Sequence, residues 1–78
     1  MFNHGMNPPI KMIQAEWITK DGVLIERIDP MKEKYQKFRG IKIGDKISWT
    51  VGKLRKEFIL KRRSVPKDRL TMLHFDEV

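Results

Sequence analysis

Alternation of apolar and polar positions with a period of two runs through most of this chain. In IKMIQAEWI (10–18), Ile13, Ala15 and Trp17 fall on one side and Met12 and Gln14 on the other, which predicts a strand. TKDG (19–22) is a turn signal, since Asp21-Gly22 readily adopts the positive φ of a hairpin. The β-branched run VLIERI (23–28) then returns as a second strand. Further on, Ile47, Trp49 and Val51 alternate with Lys46, Ser48 and Thr50. In KEFILKR (56–62), Phe58 and Leu60 alternate with Ile59 and Lys61. In RLTMLHFDEV (69–78), Thr71, Leu73 and Phe75 alternate with Leu70, Met72 and His74. RSVPKD, containing Pro66, reads as the turn between these last two strands.

One stretch breaks the period. In DPMKEKYQKFRG, Met31, Tyr35 and Phe38 fall at i, i+4 and i+7, the spacing of one helix face. Asp29 fits the N-cap and Pro30 the first helical position, where no amide hydrogen is needed. Lys32, Lys34 and Lys37 point elsewhere, and Glu33 stands one turn before Lys37. Gly40 can end the helix in the left-handed region, after roughly three turns. The expected fold is mostly β with one short α-helix, in the order β-β-α-β-β-β. It forms a small antiparallel barrel or sandwich with the helix plugging one end. Residues 1–9, with Asn3, Gly5, Asn7 and Pro8-Pro9, read as a flexible arm before a single domain of residues 10–78.

Composition narrows the function classes. At 78 residues the chain has room for one core, and 40% hydrophobic residues are enough to build it. It has no cysteine, so disulfides and thiolate metal sites are excluded. No apolar run approaches the ~18 residues of a membrane span, and the N-terminus has no signal-peptide stretch, so a cytoplasmic protein is expected. The net charge of +7 is unevenly placed. Residues 1–30 hold three bases and four acids, whereas residues 31–78 hold fourteen bases and six acids. Such asymmetry suits an anionic partner, whether nucleic acid, a membrane surface or an acidic protein, and equally suits a solvated basic face that keeps a small protein soluble.

Catalytic chemistry finds little support. His4 and His74 have no carboxylate or cysteine at metal-ligand spacing, and such lone histidines are ordinarily surface or strand residues. Ser48 and Ser64 lack a nucleophile-elbow context, and Asp45 is better placed to bond turn amides. The glycines are scattered, so no phosphate loop is present. No cofactor or metal and no enzymatic activity are expected. The basic tract GKLRKEFILKRRSVPKDR carries more information. Its Arg55, Lys56, Lys61, Arg62, Arg63, Lys67 and Arg69 make a cationic hairpin suited to nucleic-acid phosphates. The alternative role for these residues is to keep an edge hairpin from pairing with other chains. The aromatics Trp17, Trp49, Phe58 and Phe75 sit in alternating patterns that point to core packing rather than base stacking.

Two resemblances bear on the reading. GVLIERIDP together with GIKIGDKISWTVGK resembles a bacterial PDZ domain. Gly22–Asp29 stands as a strand, Gly40–Ile47 stands at a GLKxGDxI segment, and Thr50-Val51-Gly52 at its VNG. Too few residues lie between Lys53 and Phe58 for the family's second helix, so the likeness implies a shortened protein-protein interaction module that adds a partner's strand to a sheet edge. Lys20–Gly22, Ile28–Ile47 and Phe58–Arg62 more weakly resemble the swapped-hairpin AbrB and MazE-type domains. That likeness implies a DNA-binding homodimer. The leading expectation is therefore a non-catalytic, nucleic-acid-binding regulator. Its alternatives are a degenerate PDZ-like module and a small accessory or viral protein that docks an acidic protein surface.

Overall fold

The computed structural model describes residues 11–78; the expected arm of residues 1–9 lies outside them. Five strands, β1 (Met12–Thr19), β2 (Gly22–Ile28), β3 (Lys46–Val51), β4 (Leu54–Lys67) and β5 (Leu70–Glu77), form one sheet in the order β2-β1-β5-β4-β3. The sheet curls into a half-barrel. The hairpin β1-β2 and the meander β3-β4-β5 are each antiparallel, but the two units join through β1 and β5, which run parallel. The antiparallel barrel or sandwich expected from the sequence is thus corrected to a mixed sheet. Hairpins announce themselves through turn residues, whereas β1 and β5 lie at opposite ends of the chain and pair with no local signal. No helix among the described residues is long and apolar enough to cross a membrane.

The helical element is shorter than expected and of another type. Only Glu33–Phe38 is helical, a 3-10 helix whose N-cap is Lys32 rather than Asp29. Asp29 instead opens a turn: its carbonyl accepts the Lys32 amide (3.0 Å) and its Oδ1 the Met31 amide (3.0 Å). Asp-Pro at the first two positions of such a turn is a favoured pairing. A three-residue period brings Tyr35 and Phe38 onto one side, and both are buried, while Met31, the expected start of the stripe, is 80% exposed.

β4 runs through the segment expected to be a turn. Irregularities between Leu60 and Arg62, and again between Ser64 and Lys67, interrupt its ladder with β5. The second accommodates Pro66, which has no N–H to offer a ladder. The reversal falls instead at Asp68-Arg69, where Arg69 adopts φ 64°.

The inner face holds the core: Ala15 and Trp17 on β1, Ile28 on β2, Trp49 on β3, Phe58 and Leu60 on β4, and Leu73 and Phe75 on β5. Tyr35, Phe38 and Ile41 cover it from the crossover between β2 and β3. Trp17 is the centre. Its ring stacks on Phe75 (4.4 Å between centroids, 21°) and lies 4.7 Å from Phe58, 5.9 Å from Phe38 and 6.0 Å from Trp49.

Candidate functional site

β4 extends over about 46 Å at the usual rise per residue, so its basic side chains serve different places. Lys56, largely buried, sits 3.2 Å from Glu77 Oε1 and 3.6 Å from Asp21 Oδ2. Arg63 turns to the inner face, where its Nη2 donates to the Ile41 carbonyl (3.0 Å) and pins the loop before β3. Arg62 turns outward opposite His74, with its Nη2 3.5 Å from Nδ1. Lys61 is exposed where the β4–β5 ladder is interrupted, Lys67 is exposed near the far end, and Arg69 lies 3.5 Å from Asp68. Of the seven residues expected to contact phosphate, the structure ties Lys56 and Arg63 to partners elsewhere in the fold and gives Arg62 and Arg69 looser contacts with His74 and Asp68. It spreads exposed Arg55, Lys61 and Lys67 along the strand.

The Lys56–Glu77 pair carries a pH dependence. The Lys20 amide donates to Glu77 Oε1 (3.1 Å) and the Lys56 ammonium to the same oxygen. These bonds, the backbone one foremost, hold the Glu77 carboxyl below its ordinary value. A depressed carboxylate contributes stability at neutral pH that is lost as pH falls through its folded-state value. The melting temperature should therefore drop as pH falls from the ordinary carboxylate value of 4.5 through the lower folded-state one, and Glu77→Gln should flatten that limb. A thermal melt series on both proteins checks this.

One arginine of the tract, Arg55, meets cations from elsewhere. The curl of the sheet brings β2 opposite β3, and beside their meeting at Glu26 and Trp49 the 3-10 helix, β3 and β4 border a cleft of about 370 Å³ lined by Glu26, Lys34, Lys37, Trp49, Thr50 and Arg55. Lys34 Nζ lies 5.0 Å from the centre of the Tyr35 ring, and Lys37 Nζ 5.5 Å from that of Trp49. Such cation–π contacts hold a charged head near an aromatic wall without neutralising it. Lys37 also donates to the Ser48 carbonyl on the outer edge of β3 (3.1 Å). The acid at the base of the cleft is occupied: Glu26 Oε1 accepts from Trp17 Nε1 (3.2 Å) and Trp49 Nε1 (2.9 Å), and its Oε2 from the Tyr35 hydroxyl (2.9 Å). Three cations thus converge on a site whose one carboxylate is spent on neutral donors.

The helical spacing predicts Lys34 and Lys37 on the solvated side of an α-helix, away from its apolar stripe. Only the 3-10 period and the sheet curl bring them to β3 and β4, and no spacing in the sequence signals that meeting. Trp49 is buried, in line with a core role, and so offers no face for base stacking. The chemistry available is that of phosphate or carboxylate oxygens held by ammonium and guanidinium donors.

A second constellation lies on the outer face. His74 is buried in β5, with Nδ1 2.7 Å from Glu16 Oε1 on β1 and Nε2 2.7 Å from Ser64 Oγ on β4. The sequence alone suggests an ordinary strand histidine with no carboxylate nearby. The parallel pairing of β1 and β5 sets Glu16 directly across from it. A chain of acid, imidazole and hydroxyl has the connectivity of a nucleophilic triad, and all three side chains lie on the sheet's outer face, outside the lining of the cleft that gathers Lys34, Lys37 and Arg55. Its evident service is to satisfy a buried imidazole and tie three strands.

No family model, curated protein or solved structure matches the chain.

Proposed function

We propose that this protein binds nucleic acid through its phosphates, with the cleft between the 3-10 helix and β3-β4 as the centre of the contact. The observation that carries this reading is the convergence of Lys34, Lys37 and Arg55 on one cleft, in a chain whose residues 31–78 hold fourteen bases against six acids. Exposed Lys32 at the N-cap of the same helix and exposed Lys53 in the β3-β4 turn add positive charge to these two segments. Arg62, Lys61 and Lys67 give a second, weaker footing on β4. Binding of this kind reads backbone charge rather than base identity, because no exposed aromatic or buried polar pocket accompanies the cations among the described residues.

Affinity for generic DNA or RNA should fall steeply with salt, since each neutralised phosphate releases counterions. Lys34→Glu, Lys37→Glu and Arg55→Glu together should weaken binding similarly on every sequence tested. The slope of log K against log salt should shrink by about 0.9 for each duplex phosphate that the variant no longer neutralises. Arg62→Glu with Arg63→Glu should have the smaller effect. Binding insensitive to salt and to the triple variant would sink the reading. Salt-sensitive binding to acidic polypeptides without binding to nucleic acid would replace it with the acidic-protein alternative.

A further inference from the structure

The two edges of the sheet are treated differently. On β3, Lys46, Ser48 and Thr50 turn their backbone groups outward, as the bond from the Leu60 amide to the Asp45 carbonyl (3.0 Å) requires of the alternation. That edge is guarded: the Ser48 carbonyl accepts Lys37, and Lys46 stands on it exposed. β2 has the opposite character. The Met12 amide bonds the Arg69 carbonyl on the β5 side (2.7 Å), so Ile13, Ala15, Trp17 and Thr19 direct their backbone groups to β2. Their partners are Ile28, Glu26, Leu24 and Gly22. Val23, Ile25 and Arg27 therefore point their N–H and C=O groups away from the sheet, where no strand among the described residues pairs with them. The side chains there are apolar and open, with Val23 58%, Leu24 47% and Ile25 55% exposed. A strand edge with unpaired amides and three consecutive exposed hydrophobic residues is a template for another strand.

We infer that the strand it takes is β2 of a second copy, antiparallel about a two-fold axis through Leu24. The sequence of β2 is complementary to itself in that register. Val23 stands opposite Ile25 of the second copy, and Ile25 opposite its Val23, each pair exchanging two backbone hydrogen bonds. One step further, Arg27 meets Asp21 of the second copy at both ends of the ladder. Asp21 is 85% exposed, and the Lys56 it faces at 3.6 Å has a nearer partner in Glu77 (3.2 Å), so the Asp21 carboxylate is open to that pairing. On the inner face the two Leu24 side chains meet at the axis in a non-hydrogen-bonded pair, where side chains lie closest. They continue an apolar groove of about 360 Å³ that includes Val51 and Leu54. Shifting the axis to Ile25 keeps the hydrogen bonds but sets Val23 against Arg27 and Asp21 against Asp29, like charges face to face. Charge thus selects the first register.

The inference is independent of the nucleic-acid reading, and its test uses the full-length chain alone. Sedimentation from micromolar to near-millimolar concentration should show conversion from a 9.3 kDa monomer to a dimer. Ile25→Lys and Arg27→Asp should each raise the half-dimerisation concentration about tenfold or more. Adding Asp21→Arg to Arg27→Asp should recover much of that loss, because the swapped charges are again opposite. Amide exchange gives a readout that does not depend on variants folding. Val23, Ile25 and Arg27 should gain protection as concentration rises, while Leu24 and Glu26 stay protected throughout. A chain that stays monomeric, or a dimer indifferent to these substitutions, overturns the inference. Protection of the three amides at every concentration also overturns it, and assigns the edge to a segment of the same chain.

Discussion

Trp17→Ala is expected to leave the domain largely unfolded near ambient temperature. Trp17 is fully buried and touches aromatic rings from four other elements: Phe38, Trp49, Phe58 and Phe75. Truncating a core tryptophan costs about 3–5 kcal/mol through lost transfer energy and the cavity left behind. Each well-placed aromatic pair adds about 0.5–1.5 kcal/mol to what its area provides. A chain of 78 residues has a total stability of only about 4–12 kcal/mol at typical per-residue values. The loss therefore takes most or all of that reserve. Trp17→Phe keeps a ring in place but removes the indole donor to Glu26, and should cost appreciably less. Urea denaturation followed by circular dichroism measures both, and an alanine variant losing under about 1 kcal/mol would show that the core is not centred on this ring.

The inner face is readable because a strand's side chains alternate strictly. Ala15 with Trp17, Phe58 with Leu60, and Leu73 with Phe75 lie on the core face as their spacing requires. Gly40 adopts the left-handed φ (69°) expected of it. Asp45 does bond a turn amide, that of Lys42 (2.9 Å). What the pattern misses depends on one of two things. The first is a local choice between near-equal alternatives: Asp29-Pro30 suits a helix start and a β-turn alike, and Pro66 suits a turn and an interrupted strand alike. The second is long-range meeting. Glu16 and His74 are 58 positions apart, and Lys34 reaches the β3-β4 hairpin only because the sheet curls.

The same limit applies to function. The charge tract draws attention to the β4-β5 hairpin, and its density there is real. Yet two of its members face partners inside the fold, and the cations that converge come from two separate segments. Glu26 is the exception, because strand parity alone marks it. It shares inward parity with Leu24 and Ile28, and a charged residue at an inward strand position needs partners.

Those partners make Glu26→Ala the second large expected effect. Its two oxygens accept three hydrogen bonds, from β1, from β3 and from the crossover helix, so one side chain joins the facing edges of the half-barrel. Alanine leaves two indole N–H groups and a phenol without acceptors in partly buried positions, each worth about 1–3 kcal/mol when unsatisfied. The three are coupled, so the total is less than their sum; a loss of about 3 kcal/mol is expected. Glu26→Gln retains one carbonyl acceptor for the indoles and should lose far less. Tyr35 supplies a specific reporter, because it is the chain's one tyrosine. Burial above all, and then the bond to Glu26 and its negative charge, hold the Tyr35 phenol above its ordinary value of 10.0. A raised phenol contributes stability that is intact below the ordinary value and is lost as pH climbs through the folded one. In Glu26→Gln, which should fold, the tyrosinate absorbance titration should move down toward the ordinary value without reaching it, because the burial remains. The indole N–H resonances of Trp17 and Trp49 should both shift in the same variant. An alanine variant stable to within about 1 kcal/mol of the parent, or a glutamine variant with an unmoved tyrosine titration, would show that the strands are held together without this carboxylate.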